Sequence, residues 1–432
     1  MRLALAVLTL AALALRLYFA PWAGHVVDMN AAIDYAVKSA AAPWNMAYEA
    51  SDSNYPPASM LLFEFIGRIA AAFGFTNDPD AMRVAVKLPT IGFDLLGGLI
   101  TYALARRFVG KLPALGAAAL FDLNPAIVFD TAYWGQNDTI TTVSGLAAVW
   151  LLTARRRTLA WVVLAFGVLS KPPVLVLAPL FALEAVLARG PGERSRALRA
   201  AAGGIGASLV LGYALSAVLF VQKNPVDVYA RLIDWYQVGS SLYPINSANA
   251  FNVYSFGSGF FRSDLAPVLF VPLKYVADLA FLATYAAIGY TYARVRTPQA
   301  LVEAAFLVLL AMFLVLTEMH ERYSIYALTF APALAVLDRR NLWAYGAATL
   351  ASWLNMEYSI EYIWIASGKT PGLDPNLFAP SLARLCALAF LGAFGAVGAA
   401  LLRPIHGPQR PQPSAGTSTA TGNASSTAAA SR

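Results

Sequence analysis

Twelve apolar runs, bounded by charged residues, divide this chain, and a sequence that must bury so many has few architectures open to it. The runs are 3–20, 88–106, 112–130, 139–154, 158–171, 173–188, 200–221, 272–293, 300–317, 322–337, 342–360 and 378–402. A helix crossing hydrocarbon needs ~20 mostly apolar residues, within a range of ~17–25. Because lipid satisfies no backbone polar group, open segments there must be helical. Several runs are short, and 158–171 with 173–188 can also be one hairpin. Only 13% of the 432 residues are charged and 59% are hydrophobic, against a charged fraction of ~25% in soluble domains. The predicted fold class is all-α, a polytopic transmembrane helical bundle of about 12 spans.

The first run follows Arg2 and continues past Arg16 without a small-residue cleavage site, which reads as a retained helix rather than a signal peptide. The net charge of +7 comes from scattered Lys and Arg, not the clustered patch that nucleic acid requires. No nucleic-acid partner is predicted. The lone Cys386 permits no intrachain disulfide.

Lys and Arg stay on the cytoplasmic side of a membrane protein. With the N-terminus inside, 18 of the 31 cations fall on the cytoplasmic side, including Arg106, Arg107 and the triplet Arg155 to Arg157. Only Glu184, Glu193, Glu303 and Asp338 of the 24 acids join them, so the inner side carries +14 and the outer side −7. This predicts a multi-pass plasma-membrane protein with both termini cytoplasmic and its active site facing outside. The long outer segments are 21–87, 222–271 and 361–377. Residues 1–403 form the predicted membrane domain. The tail 404–432, rich in Pro, Ser, Thr, Ala and Gly, is a predicted disordered cytoplasmic segment in which Asn423-Ala424-Ser425 would meet no glycosylating enzyme. In the first outer loop the run from Ala58 to Phe75 carries Glu64 and Arg68 at i,i+4, a self-neutralising pair that predicts an interfacial or re-entrant helix. There is no convincing repeat, Walker-type loop or HExxH, and the glycine pairs at 204/206 and 257/259 read as packing or loop flexibility.

Ionisable residues inside spans are costly and mark functional sites by default. Asp94, Asp122, Asp130 and Arg384 lie in spans toward the outer half, suggesting a hydrated cavity that opens outward; the plainer alternative for each is a helix-to-helix ion pair. Four clusters lie on that side: Asp28 in His25-Val26-Val27-Asp28-Met29-Asn30; Tyr55-Pro56-Pro57; Leu123-Asn124-Pro125 followed by Tyr133-Trp134-Gly135-Gln136-Asn137-Asp138; and Glu318-Met319-His320-Glu321-Arg322-Tyr323. A cap, a stiff helix entry, interfacial aromatics and a terminal salt bridge are their respective plainer readings. Lys171-Pro172-Pro173 adds a cation, while Asn246, Asn249 and Asn252 with Trp235 and Tyr254 suit sugar hydroxyls and faces.

In this order the motifs, over residues 1–340, resemble the GT-C class of integral-membrane glycosyltransferases, bacterial and archaeal relatives of the dolichyl-phosphate-glucose-dependent and mannose-dependent enzymes. The chain departs from that pattern in having Pro173 where many relatives have Gln, and in lacking two adjacent acids in the first loop. The resemblance implies a GT-C-like fold and inverting transfer of a hexose or pentose from a polyprenyl-phosphate carrier to a glycan, lipid or protein acceptor. It implies Asp28 as catalytic base, Arg322, His320 and Lys171 at the donor phosphate, and Tyr55, Trp134, Gln136, Asp138, Asn249, Asn252 and Glu321 at the substrates. No cofactor and no metal ligand is assigned, and divalent-metal dependence stays open. The alternative is a transporter or flippase of a polar or lipid-linked solute, which would place its site near the midplane between structural repeats.

Overall fold

A computed structural model describes residues 1–239, 242–257, 259–366 and 379–403. The predicted tail 404–432, its Asn423 acceptor, Ser258 and most of the outer segment 361–377 lie outside the described residues. Each of the twelve apolar runs is largely helical. Five helices are long and apolar enough to cross a membrane by themselves: Arg2–Phe19, Pro79–Ala105, Glu193–Leu219, Pro298–Val315 and the segment Pro380–Leu401. A sixth arises if Lys111–Asp122 and Pro125–Trp134, bent by 41°, count as one. Asp138–Thr153, Arg157–Ser170 and Pro172–Val186 are apolar but short.

Proline breaks two of the apolar stretches. The residue before proline is pushed out of the helical region, and the chain breaks at Asn124-Pro125 and again at Lys171-Pro172, where Lys171 is extended. The run 322–337 is divided into Ile325–Leu328 and Ala331–Leu337 without an extended residue at the break. The predicted outer loop 21–87 also ends early, because Asp78 caps a helix that begins with Pro79 at its first position, accepting from Asp80 N at 3.0 Å and Ala81 N at 3.1 Å.

At the centre stands Pro298–Val315, in which every residue from Ala300 to Leu314 is buried. A helix apolar all round belongs in a core. It packs against Leu273–Val295, Ala379–Leu401 and Asp138–Thr153, the last also buried along most of its length. Gly204 in Glu193–Leu219 approaches Trp161 so closely that an added Cβ would stand 2.7 Å from its Cβ, the close helix packing expected there.

The first outer loop folds into Val26–Ala40, Ala47–Ser51 and Pro57–Phe73. In the last of these Arg68 Nε donates to the buried Glu64 Oε1 at 2.8 Å, as the i,i+4 spacing predicts. The all-α expectation needs one correction. Loop backbone groups that must find partners form two small strand pairs: Ser247–Ala248 parallel to Met319–His320, and Pro267–Val268 antiparallel to Val271–Pro272.

Candidate active site

Four chain breaks bring the candidate residues together. His25 caps the helix Val26–Ala40, its Nδ1 accepting from Asp28 N at 3.2 Å, which puts Asp28 in the first turn where the helix dipole favours a carboxylate. The π-helical turn Phe129–Trp134 ends on Gly135 at φ 90°, and both Gly135 N and Gln136 N donate to Asp130 O, at 3.1 and 3.0 Å. That reversal points Trp134 and Gln136 at Asp28. Lys171 emerges at its proline break, and Arg322 lies in the turn after Met319–His320.

Asp28 Oδ2 accepts from Trp134 Nε1 at 2.9 Å and from Gln136 Nε2, and it lies 3.8 Å from Arg322 Nη1. All these contacts fall on Oδ2, while 29% of the Asp28 side chain remains exposed. His25 stacks on Trp134 with ring centroids 4.8 Å apart, and Tyr55 Oη reaches Gln136 Oε1 at 3.5 Å.

Asp138 is the second centre. Its fully buried carboxylate accepts from Lys171 Nζ at 2.6 Å, from Arg322 Nε at 3.2 Å and from Tyr326 Oη at 2.5 Å. Arg322 therefore bridges Asp28 and Asp138, donates also to Glu321, and lies 5.5 Å from the Trp134 ring centroid. His320 Nδ1 is 3.9 Å from Glu321 Oε2. Among the described residues, neither oxygen of the buried Asp130 has a hydrogen-bond partner.

The electrostatics separate these groups. Burial alone would raise the Asp28 carboxyl, but Arg322, His25 and the Trp134 hydrogen bond reverse it and hold it below the ordinary range. Burial keeps Glu321 above its ordinary range despite Arg322. Burial, reinforced by Arg322 and Lys171, pushes His320 down to about 3, so at neutral pH it offers a neutral imidazole rather than a positive charge. No group of three or more His, Cys, Asp or Glu suited to a metal ion occurs among the described residues.

Asp28, Tyr55, Trp134, Gln136, Asp138, Lys171, Glu321 and Arg322 thus converge, with His320 beside Glu321. Asn249 joins them by backbone, bridging His320, while Asn355 Nδ2 donates to its carbonyl at 2.7 Å. Asn252 is not brought in: fully buried, it donates to Phe313 O at 3.1 Å and accepts from Tyr254 N at 3.2 Å, closing its own turn.

Two residues, Tyr326 and Lys87, and the role of His25 escaped the sequence reading. Tyr326 sits four residues after Arg322, a helical spacing that could have flagged it. The significance of His25 lies in a cap and a stack that only the fold supplies. Lys87, fully buried, donates to Trp22 O and Ala132 O at 2.9 Å and to Tyr133 O at 3.0 Å, clamping the turn that presents Trp134; it fell at the edge of a predicted loop.

No sequence-family model and no curated protein matches the chain. Solved structures of the Archaeoglobus fulgidus oligosaccharyltransferase do. The apo form is 14% identical with a TM-score of 0.45, and the form tethered to an acceptor peptide containing an NVT sequon is 14% identical with a TM-score of 0.47; each match covers 92% of this chain and 55% of that one. The A. fulgidus AglB complex with an inhibitory peptide and a dolichol-phosphate is 13% identical with a TM-score of 0.46, over the same shares. This chain spans about half the length of the structures it matches.

Proposed function

We propose that this protein is an inverting membrane glycosyltransferase that moves a hexose or pentose from a polyprenyl-phosphate carrier to a glycan, lipid or protein acceptor. One observation carries the reading: the first loop's Asp28 meets Trp134, Gln136 and Arg322, so motifs scattered over the resembling region share one partly open centre.

The chemistry follows from the groups present. An acceptor hydroxyl is a poor nucleophile until its proton is taken. Asp28, kept ionised by Arg322, takes that proton on Oδ1 while Trp134 and Gln136 fix Oδ2. The hydroxyl oxygen bonds to the anomeric carbon, and the carbon–oxygen bond to phosphate breaks with its electron pair staying on the phosphate. Arg322, a planar fork suited to phosphate oxygens, stabilises that charge. Lys171 completes the clamp, and His320 contributes an N–H rather than a charge. Asp138 holds Lys171 and Arg322 side by side. Tyr55, Glu321 and the Asn249 loop border the substrates.

The test is transfer of labelled sugar from a panel of polyprenyl-phosphate donors. Asp28→Asn is expected to lose transfer while still inserting into membranes; full activity in that variant would remove Asp28 from the base role. Solute flux into proteoliposomes without any sugar donor would replace the reading with a transporter.

A further inference from the structure

The segment carrying His320 and Arg322 is knitted to a hairpin outside the site. Glu318 N donates to Ile245 O at 2.9 Å, Lys274 Nζ to Glu318 Oε1 at 2.6 Å, and Lys274 N to Asp264 O at 2.9 Å. Between Asp264 and Lys274 the chain runs out along Pro267–Val268 and back along Val271–Pro272, turning on Leu269 and Phe270. These two side chains are 88% and 96% exposed, and Leu265, Val268 and Val271 beside them are exposed as well. Leu269 holds φ at 58°, a conformation that two-residue hairpin turns ordinarily give to Gly, Asn or Asp. A turn facing water gains nothing from Leu and Phe there.

The hairpin runs directly into the helix Leu273–Val295. From Tyr275 to Tyr290 every exposed position of that helix is Tyr, Val, Leu or Ala. The exposed apolar surface of the hairpin is therefore continuous in sequence with an exposed apolar helix face.

We infer that the 267–272 hairpin is inserted into the acyl region of the bilayer leaflet on the site's side. Lipid chains cover Leu269 and Phe270 there, and the Lys274–Glu318 contact fixes the depth of the His320–Arg322 segment against the membrane. Apolar side chains at an interface insert ~5–10 Å below the headgroups in this way. The inference does not depend on the proposed reaction.

Spin labels on the full-length protein in liposomes free of polyprenyl phosphate test it. Cys386 is buried and need not be replaced. Labels at Phe270→Cys and, separately, Leu269→Cys should relax more with dissolved oxygen than with a water-soluble nickel chelate; a label at Asn77→Cys, in an exposed turn, should do the reverse. Nickel-accessible labels at 269 and 270 would overturn the inference. So would an apolar signal that develops only on adding polyprenyl phosphate, which would assign the cover to that ligand's tail. Spin–spin broadening between labels would overturn it in favour of a second copy.

Discussion

Arg16 and Arg322 are each held by carboxylates, yet in opposite circumstances. Arg16 Nε lies 2.5 Å from Asp94 Oδ2, and Nη1 donates to Ala12 O at 3.1 Å and Asp122 O at 2.8 Å; neither side chain of the ion pair has any exposure. Three helices are tied together there, and Gly98 lets them approach, since a Cβ at that position would fall 2.0 Å from Asp122 Oδ1. Arg322 instead meets Asp28, Asp138 and Glu321, with Asp28 29% exposed. A closed pair is a staple whose value appears when it is broken. An open cluster with more acids than cations can bind and move protons. The sequence offered Asp94, Asp122, Asp130 and Arg384 either a hydrated cavity or helix-to-helix ion pairs; the fold pairs Asp94 with Arg16, which also donates to the Asp122 carbonyl.

This contrast can be broken at either end. At the site, Asp28→Asn should reduce transfer by ~10²–10⁴-fold, the usual worth of a general base, with the unfolding midpoint in detergent unchanged. At the staple, Arg16→Met should cost about 3–5 kcal/mol of stability by leaving a buried carboxylate uncompensated, measured as detergent-phase unfolding, while transfer per folded molecule stays the same. Lost transfer without lost stability in that variant would erase the distinction. Arg322→Gln should slow transfer by ~10²–10³-fold, as loss of one charge-stabilising group does.

The same variant has a pH signature. Asp28 is held below its ordinary range mainly by Arg322 against burial, so its base form persists as pH falls and the acid limb of wild-type transfer should lie below the ordinary carboxylate range. Without Arg322 the folded carboxyl rises, and the acid limb of the rate profile should move to higher pH; an unmoved limb would separate Asp28 from the rate. The smallest effect is expected from Tyr55→Phe, which removes a 3.5 Å contact with Gln136 and should cost about 0.5–1.5 kcal/mol in transition-state stabilisation, read from kcat/KM.

Much of this was legible in the residues. Asp28, Trp134 with Gln136 and Asp138, Lys171, and Glu321 with Arg322 were named from short motifs because charged and amide side chains are rare in an apolar chain. Asn252 was named in the same way, and its side chain bonds Phe313 O and Tyr254 N, because composition cannot tell an amide aimed at a ligand from one that satisfies its own turn. Lys87 was missed because its partners are carbonyls, which carry no sequence signal.

The sequence by itself determined that the chain is helical and membrane-embedded, since hydrocarbon admits no unpaired backbone and charge is too sparse for water. Where the helices break was settled only by the fold, since the chain breaks at Asn124-Pro125 yet the helix Pro79–Ala105 runs unbroken through Pro89. Only the tertiary structure decided which buried charges meet. Arg16 with Asp94, and Arg322 with Asp28 and Asp138, are pairings between distant segments, and no local period encodes them. What separates the closed staple from the open candidate site is the exposure each cluster keeps once the helices have packed.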